Sequence, residues 1–453
     1  MIRKGLLLLL GLACGAAQAQ HRLPANYHWQ QLENGLEVVV IENHKVPLAT
    51  IEIAVKNGAY TEGPEFSGLS HLFEHMFFKA NKDYPDQEKF IKRTEELGAI
   101  WNGTTDVERV NYFFTFAKDS LEAGLRFMNA AMRFPIYRAE DMAKERPVVD
   151  GEFQRAESDP GFLIWYETQK RLWGDNFTRK NPIGEHDVIN TATPEKMMII
   201  KDKYYHPNNS LLIIAGDVKP EDAFRMARRV WGDWKNSGFN PLDRYPIPAF
   251  EPLRQTEFFI KKSSIAQTPY MMLSWQGPSY KEDSANTVVA DVFSAVLRLN
   301  ASKWKQALVD KGLAPYADMG YQTCHYTGPI TITVVPTPGK LQECFRATME
   351  QINRFGDDDY ISEELLATAK EVIRRNEIRN KEKPSSLPMQ LSYQWASTSL
   401  EYYTDYEANL MRVTLEDLRN YVRRYITGKP YVAGMVINDE MAKAAQPETF
   451  FKN

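Results

Sequence analysis

Two segments of this 453-residue chain carry the same order of elements, one in each half of the sequence. The first begins at Thr193 and places Tyr204 eleven residues later, and the second begins at Thr414 and places Tyr425 at the same distance. Each start reads Thr-x-Glu, a helix-capping signature, and each tyrosine is followed by a run of strand-forming residues. The match of cap, helix, tyrosine and strand at an offset of 221 residues (414 − 193) indicates a chain built from two related halves.

Each half alternates clusters of strand-forming residues with amphipathic segments, which favours an α+β fold over a doubly wound sheet. The length supports two domains, since one core rarely organises 453 residues. We therefore expect two homologous α/β sandwich domains, each a mixed, mainly antiparallel sheet packed by helices. The expected ranges are 20–234 for the first domain, 235–254 for a proline- and charge-rich linker, and 255–453 for the second domain.

The segment from His71 to His75 has the pattern H-x-x-E-H, the inverted form of a zinc-binding helix motif. Residues i and i+4 of a helix lie one above the other, so both histidines can reach one metal ion. Glu74 projects beside them, and Glu152, 77 residues after His75, offers a third ligand. The opposite side of this helix is expected to carry the apolar stripe Leu69, Leu72, Phe73, Met76 and Phe77.

The composition excludes some classes of protein. A net charge of −4 and a pI near 6.1 provide no basic surface for nucleic acid. No long apolar run follows the N-terminal region, so we expect no transmembrane segment in the mature chain. Cys324 and Cys344 are too few for a disulfide framework, and the sequence leaves open whether they pair.

The first residues have the features of a secretory signal peptide. Arg3 and Lys4 precede the apolar run 6–12, and a small-residue cleavage signal ends at Ala19. We expect residues 1–19 to be removed and the protein to be exported, to the periplasm. Cys14 leaves lipid anchoring open as the alternative.

Taken together, these residues resemble the motifs of the pitrilysin-type zinc metallopeptidases, a family that includes insulin-degrading enzyme and the mitochondrial processing peptidase. The resemblance covers nearly the whole mature chain. Besides H-x-x-E-H, it rests on Glu145-Arg146 and Glu152 at the family's spacing, on the segment from Gly98 through Asn102 to Thr105, and on the segment 204–217.

The resemblance implies a zinc metalloendopeptidase with one Zn²⁺ per chain. It assigns His71, His75 and Glu152 as zinc ligands and Glu74 as the general base that acts on a water of lowered pKa. Glu145 lies seven residues before Glu152, which suits a carboxylate that supports a ligand. A solvated surface glutamate is the alternative for Glu145.

Two helix-breaking residues separate these glutamates. Pro147 and Gly151 are expected to kink or shorten a continuous helix, which weakens the expectation for Glu145 more than that for Glu152.

By the same resemblance, Asn102, Gly103 and Thr104 belong to an edge strand that binds substrate by strand addition. An ordinary polar strand start is the alternative. In the family's C-terminal half, an arginine and a tyrosine seven residues later support the substrate carbonyl and its oxyanion. Tyr316 matches the tyrosine and is expected to be catalytic, but Val309 stands in the place of the arginine.

Family members enclose peptides in a clamshell of four such domains, so a two-domain chain is expected to form half of a clamshell and to dimerise. The implied substrates are short or unfolded peptides. Val309 suggests a heterodimer in which a related zinc-less subunit supplies the Arg/Tyr pair. A homodimer that uses Tyr316 alone, or with Lys305 or Lys311, is the runner-up. A non-catalytic scaffold and a specific maturation peptidase stay open, although an intact Glu74 argues against the scaffold.

Overall fold

The structure, a computed structural model, describes residues 23–381 and 386–451. The expected leader 1–19, its cleavage point after Ala19 and the alternative anchor Cys14 lie outside the described residues. Within the two described ranges, no helix is both long enough and apolar enough to cross a bilayer.

The first half of the chain forms a six-stranded sheet. Its strands are Tyr27–Gln31 (β1), Glu37–Glu42 (β2), Leu48–Val55 (β3), Ile100–Thr105 (β4), Val110–Ala117 (β5) and Ser210–Gly216 (β6). The strand order is β1-β2-β6-β3-β5-β4, with β2 and β6 parallel and the other neighbours antiparallel. Strand β4 therefore lies at an edge of the sheet.

Helices of the first half cover this sheet with their apolar faces. They are Leu69–Phe77 (α1), Gln87–Glu96 (α2), Leu121–Arg133 (α3), Ala139–Glu157 (α4), Pro160–Trp173 (α5), His186–Asn190 (α6), Pro194–Tyr204 (α7), Pro220–Trp231 (α8) and Pro241–Arg244 (α9). The segment 235–254, expected as a linker, contains the short helix α9.

The second half repeats this plan with one strand fewer. Its strands are Glu257–Lys262 (β7), Tyr270–Gln276 (β8), Tyr316–Tyr321 (β9), Pro329–Val335 (β10) and Val432–Ile437 (β11). Its helices are Tyr280–Arg298 (α10), Lys303–Lys305 (α11), Leu341–Arg354 (α12), Glu363–Lys381 (α13), Ser386–Ser397 (α14), Leu400–Arg412 (α15), Leu415–Tyr425 (α16) and Asp439–Ala445 (α17).

The strand order of the second sheet, β7-β11-β8-β10-β9, matches β2-β6-β3-β5-β4 of the first. The pairs β7-β11 and β2-β6 are parallel, and the other neighbours in these two orders are antiparallel. Helices α7 and α16, the two copies of the repeat, precede the equivalent strands β6 and β11. The expected α+β fold with two related halves is therefore confirmed.

Each half also lends a helix to the sheet of the other half. Helix α14 packs Leu391 and Trp395 against Val39, Ile213 and their neighbours on the outer face of the first sheet. Helix α5 does the reverse, since its apolar residues pack against β8 and β11 of the second sheet. Neither sheet is closed by helices of its own half alone.

The structure contradicts one expectation about a helix and answers the open question about the two cysteines. Helix α4 continues through Pro147 and Gly151, so the expected shortening was wrong. Pro147 is exposed, and so is Ala143, whose carbonyl loses its helical partner; water can bind that carbonyl. Cys324 and Cys344 are both buried and free, so they do not form a disulfide.

Candidate metal centre

Helix α1 has the two faces that its sequence predicts. Leu69, Leu72, Phe73, Met76 and Phe77 are buried in the core under the sheet. His71 and His75 lie on the other side, with their ring centroids 4.9 Å apart. The apolar stripe therefore fixes the rotation of the helix, and that rotation brings both imidazoles to one place.

The N-terminus of α1 is held from outside the helix. Gly68, the residue before it, adopts a left-handed backbone with φ 84° and supplies no side chain to cap the helix. The Glu62 carboxylate accepts the backbone N–H of Gly68 at 2.7 Å and that of Ser70 at 2.6 Å. A carboxylate at this end also complements the helix dipole. Glu62 thus positions the helix that carries the histidines.

Helix α4 brings two glutamates to these histidines. Glu152 Oε2 lies 3.6 Å from Nε2 of His71 and 3.6 Å from Nε2 of His75. Glu145 Oε1 lies 2.8 Å from His75 Nδ1, and Lys79 Nζ lies 2.5 Å from the other oxygen of Glu145. Because α4 is continuous, both glutamates face α1, and Glu145 is buried instead of lying on a solvated surface.

This cluster fits a divalent metal. One ligand atom each from His71, His75 and Glu152 can be chosen so that all lie within 4.8 Å of one another. His71 Nδ1 is buried and has no hydrogen-bond partner in the described part of the chain. Two imidazole nitrogens and one carboxylate oxygen, with room for a further ligand, are a donor set of catalytic zinc.

The protonation state of His71 suits a metal ligand. Burial, together with nearby His75, lowers the pKa of His71 to about 4, so its imidazole is neutral at pH 7. For His75, burial favours the neutral form, but the Glu145 hydrogen bond and nearby carboxylates outweigh it and raise the pKa. Glu145 Oε1 accepts the Nδ1 proton of His75, which leaves Nε2 directed at the metal position.

Glu74 lies beside the ligands and against β4. The Thr105 hydroxyl donates to Glu74 Oε2 at 2.8 Å. A Cβ atom placed on Gly103 would lie 2.8 Å from Glu74 Cγ, so only glycine leaves room for this glutamate. Burial raises the pKa of Glu74, and the Thr105 hydrogen bond opposes that rise. A carboxylate with a raised pKa is suited to take and return a proton near neutral pH.

The edge strand forms one wall of a cavity of about 460 Å³ around the cluster. Asn102, Gly103 and Thr104, which the family resemblance assigns to a substrate-binding edge strand, all line it. Thr104 is fixed by hydrogen bonds to Asn111 and, at 2.9 Å, from Arg109. The structure therefore brings an exposed strand edge next to the candidate ligands.

Tyr316 is not part of this cavity. It lies at the start of β9, on the edge of the second sheet, and is 49% exposed. Val309 packs against the second core, and Lys305 Nζ donates to the carbonyl of Ala317 at 2.7 Å. One copy of the chain thus brings neither Tyr316 nor a replacement for the expected arginine to the metal centre.

Sequence reasoning missed four residues that hold the centre together: Glu62, Lys79, Thr105 and Arg109. Lys79 had a signal, since it lies four residues after His75, in the turn that follows α1. Glu62 reaches the start of α1 from the loop just before it, and Thr105 and Arg109 reach the site through the folding of a separate segment. No spacing in the sequence predicts these three contacts.

Comparison with known proteins identifies the family of both halves of the chain. The family model described as Insulinase (Peptidase family M16) matches residues 37–171, and the model described as Peptidase M16 inactive domain matches residues 191–373. Zinc protease PqqE of Helicobacter pylori is 26% identical over 314 residues, which cover 68% of this chain and 69% of that protein. An uncharacterised zinc protease of Rickettsia felis is 25% identical over 365 residues, covering 79% and 84%.

Solved structures share the fold. A protease from Helicobacter pylori superposes with a TM-score of 0.80 at 21% identity, covering 90% of this chain and 99% of that one. The first half of the periplasmic protease PqqL from Escherichia coli gives a TM-score of 0.73 at 17% identity and 93% coverage of both chains. The two family models together span well over half of the sequence, and the chain belongs to the insulinase family, peptidase family M16.

Proposed function

We propose that this chain is a zinc-dependent endopeptidase that cleaves short or unfolded peptides inside a dimeric clamshell. The observation that carries the proposal is the convergence of His71, His75 and Glu152 beside Glu74, under the free edge of β4. The names of the relatives, which are zinc proteases, support zinc as the metal, and we assign one ion to each chain.

The edge strand, the three ligands and Glu74 each have a different role in the proposed reaction. A peptide that pairs with β4 through backbone hydrogen bonds is held along Asn102, Gly103 and Thr104, above the cluster. A zinc ion held by the three ligands supplies a Lewis acid that lowers the pKa of water. Glu74 takes a proton from the attacking water and returns it to the leaving amine.

Glu145 acts through His75 and does not touch substrate. Its carboxylate holds the His75 imidazole in one tautomer and orientation, and Lys79 holds the carboxylate in turn. This support is the reason to assign Glu145 a positioning role.

Gly103 offers a test of this arrangement. We expect Gly103→Ala to lower the turnover number by up to about a hundredfold, because the new methyl group displaces Glu74 while the zinc ligands stay in place. The measurement is peptide hydrolysis, with zinc content and melting temperature recorded on the same sample. Gly151→Ala is the matched control, since a Cβ at Gly151 on α4 meets nothing within 4 Å. Full activity of Gly103→Ala would contradict the position assigned to Glu74.

The position of Tyr316 in the structure bears on whether the chain forms a dimer. Tyr316 lies outside the metal cavity of its own chain, which supports a second chain as the source of the C-terminal half of the site. The chain spans 51% of the whole PqqL of Escherichia coli, which is consistent with half of a longer enzyme. We infer a dimer, and the absence of an arginine at Val309 favours a zinc-less paralogue as the second subunit over a second copy of this chain.

We place the protein in the periplasm. Residues 1–19 have the sequence of a leader, and PqqL of Escherichia coli is described as a periplasmic protease. In that compartment the substrates are unfolded or short exported peptides.

The deciding experiment is hydrolysis of unstructured fluorogenic peptides by purified residues 20–453, with the molecular mass determined by light scattering. Turnover by a homodimer that contains zinc would establish a self-sufficient peptidase. Bound zinc without turnover, restored by adding a zinc-less paralogue, would establish the heterodimer. A chain that binds no zinc would overturn the proposal.

A further inference from the structure

The second half of the chain contains a cavity of about 650 Å³, larger than the cavity at the metal centre. It lies between α10, α13, α14 and α15, and the end of β9 closes one side. Nothing in the proposed peptidase reaction uses it.

This cavity is the counterpart of the metal centre in the repeat. Helix α10 lies against β9 and α13 as α1 lies against β4 and α4. Three residues of α1 line the metal cavity, His71, Glu74 and His75, and Phe78 and Lys79, which follow the helix, also line it. The comparison uses His71, Glu74, His75 and Phe78. The residues of α10 that line the second cavity are Asp291, Ser294, Ala295 and Arg298. Both sets are spaced by three, four and seven residues, at a constant offset of 220 (291 − 71 and 298 − 78).

The metal ligands have been replaced at these positions. Asp291 occupies the position equivalent to His71, and Ala295 occupies that of His75. When the two 19-residue helices α4 and α13 are aligned from their starts, Asn376 of α13 occupies the position of Glu152. With both imidazoles gone, the cavity has lost the zinc donor set and gained volume. Carboxylate side chains line it instead: Asp291, together with Glu377 and Glu407.

Asp291 has no cationic partner. Its Oδ2 accepts the Tyr406 hydroxyl at 2.8 Å, and no lysine or arginine nitrogen of the described residues lies within ion-pair distance of it. Burial raises its pKa to about 7, against the effects of Tyr406 and of more distant Arg298. A carboxylate in this position is stabilised in its charged form by any cation that enters.

The arginines that line the cavity are engaged elsewhere. Arg298 pairs with Asp318 at 3.0 Å and donates to the Met319 carbonyl, and Arg374 pairs with Glu371 at 3.1 Å. Arg109 donates to the Met389 carbonyl and to Ser392. The charges of Arg298 and Arg374 are therefore compensated by carboxylates, and Arg109 is held by neutral oxygens. Among the described residues, none of the three forms an ion pair with Asp291.

Two further features suit a cation that also donates hydrogen bonds. Ser294, only 2% exposed, lines the cavity one helical turn from Asp291, and its hydroxyl has no partner within the described ranges. Tyrosine rings, whose faces attract cations, form much of the remaining wall: Tyr321, Tyr393, Tyr403 and Tyr406.

We propose that this cavity binds an organic cation, an alkylammonium or guanidinium group, with Asp291 as its counter-ion and the Ser294 hydroxyl as an acceptor. Two sources carry this chemistry: a basic side chain within a peptide, and a free polyamine. The site depends on neither zinc nor turnover, so it stands or falls independently of the peptidase proposal.

The test is calorimetric titration of residues 20–453 carrying Glu74→Gln, which removes heat from hydrolysis. The probes are spermidine and the blocked peptide acetyl-Ala-Lys-Ala-amide, whose only amine is the side chain; acetyl-Ala-Gln-Ala-amide is the neutral control. The titration is run at a pH of about 8, where the Asp291 carboxylate is charged. We expect one or both cations to bind, and Asp291→Asn to weaken binding roughly tenfold or more, the loss of a charged hydrogen bond.

Asp405→Asn is the matched control, because Asp405 lies on α15 but is exposed and does not line the cavity. Ala295→Leu, which fills the cavity without changing its charge, should abolish binding even if Asp291→Asn fails to fold. Binding of spermidine alone identifies the polyamine as the source, and binding of the lysine peptide alone identifies the basic side chain. No binding of either probe up to about 10 mM, or unchanged binding by Ala295→Leu, would overturn the proposal.

Discussion

Replacing Glu74 by glutamine is expected to lower the rate of peptide hydrolysis by about a hundred- to ten-thousand-fold while the bound zinc stays in place. Glutamine keeps the shape of the side chain and can still receive the Thr105 hydroxyl proton through its carbonyl oxygen. It cannot take a proton from water. Because Glu74 is not one of the three clustered ligands, the metal content should not change.

The measurement pairs the turnover number for a fluorogenic peptide with zinc determined on the same sample, using whichever assembly is active. Glu65→Gln is the control, since Glu65 is exposed just before the same helix and undergoes the same chemical change. If Glu74→Gln kept wild-type turnover, another group would have to be the base. Loss of zinc together with activity would instead make Glu74 a ligand.

Replacing Glu152 by glutamine is expected to remove zinc itself. Its carboxylate oxygen lies 3.6 Å from Nε2 of both histidines, and without it two imidazoles remain. An amide oxygen is a weaker, uncharged ligand. The affinity for zinc should fall by more than the roughly 10- to 100-fold that follows from losing a partner that only supports a ligand. Activity should fall in proportion to the zinc lost.

Competition with a chelator measures this affinity, and Glu140→Gln serves as the comparison because Glu140 lies on the same helix, α4, and is exposed in its first turn. Wild-type affinity in Glu152→Gln would show that the third ligand lies elsewhere. Excess zinc should restore part of the activity of Glu152→Gln but none of that of Glu74→Gln, which separates a weakened ligand from a missing base.

Short-range patterns in the sequence predicted much of the fold and the centre of the site. The spacing of His71, Glu74 and His75 and the apolar stripe on the opposite face are both local patterns within one helix. The structure has that helix, with the apolar stripe buried. The repeat at Thr193 and Thr414 predicted two related halves for the same reason. Each of these features is contained within a helix or two, where periodicity is reliable.

What the sequence did not predict depends on side-chain contacts that follow no helical or strand periodicity. Glu62 reaches the start of α1 from a preceding loop, and Arg109 reaches both Thr104 and helix α14. The expectation based on Pro147 was wrong because the free-energy cost of a proline inside a helix depends on whether that side of the helix faces water. Tertiary packing decides which side is buried. The sequence did not predict the second cavity for another reason. Its residues occupy positions equivalent to those of the metal centre, but they no longer form the H-x-x-E-H motif.

The exchange of α5 and α14 makes the molecule a domain-swapped pair fused into one chain. Cutting the chain within residues 235–254 would leave each fragment with an exposed apolar sheet face, because the helix that covers it stays with the other fragment. Each buried leucine or tryptophan of α14 contributes about 1.5–3 kcal/mol that only the partner fragment can provide. The two fragments are therefore obligate complements: each half can cover its sheet only with the helix that the other half carries.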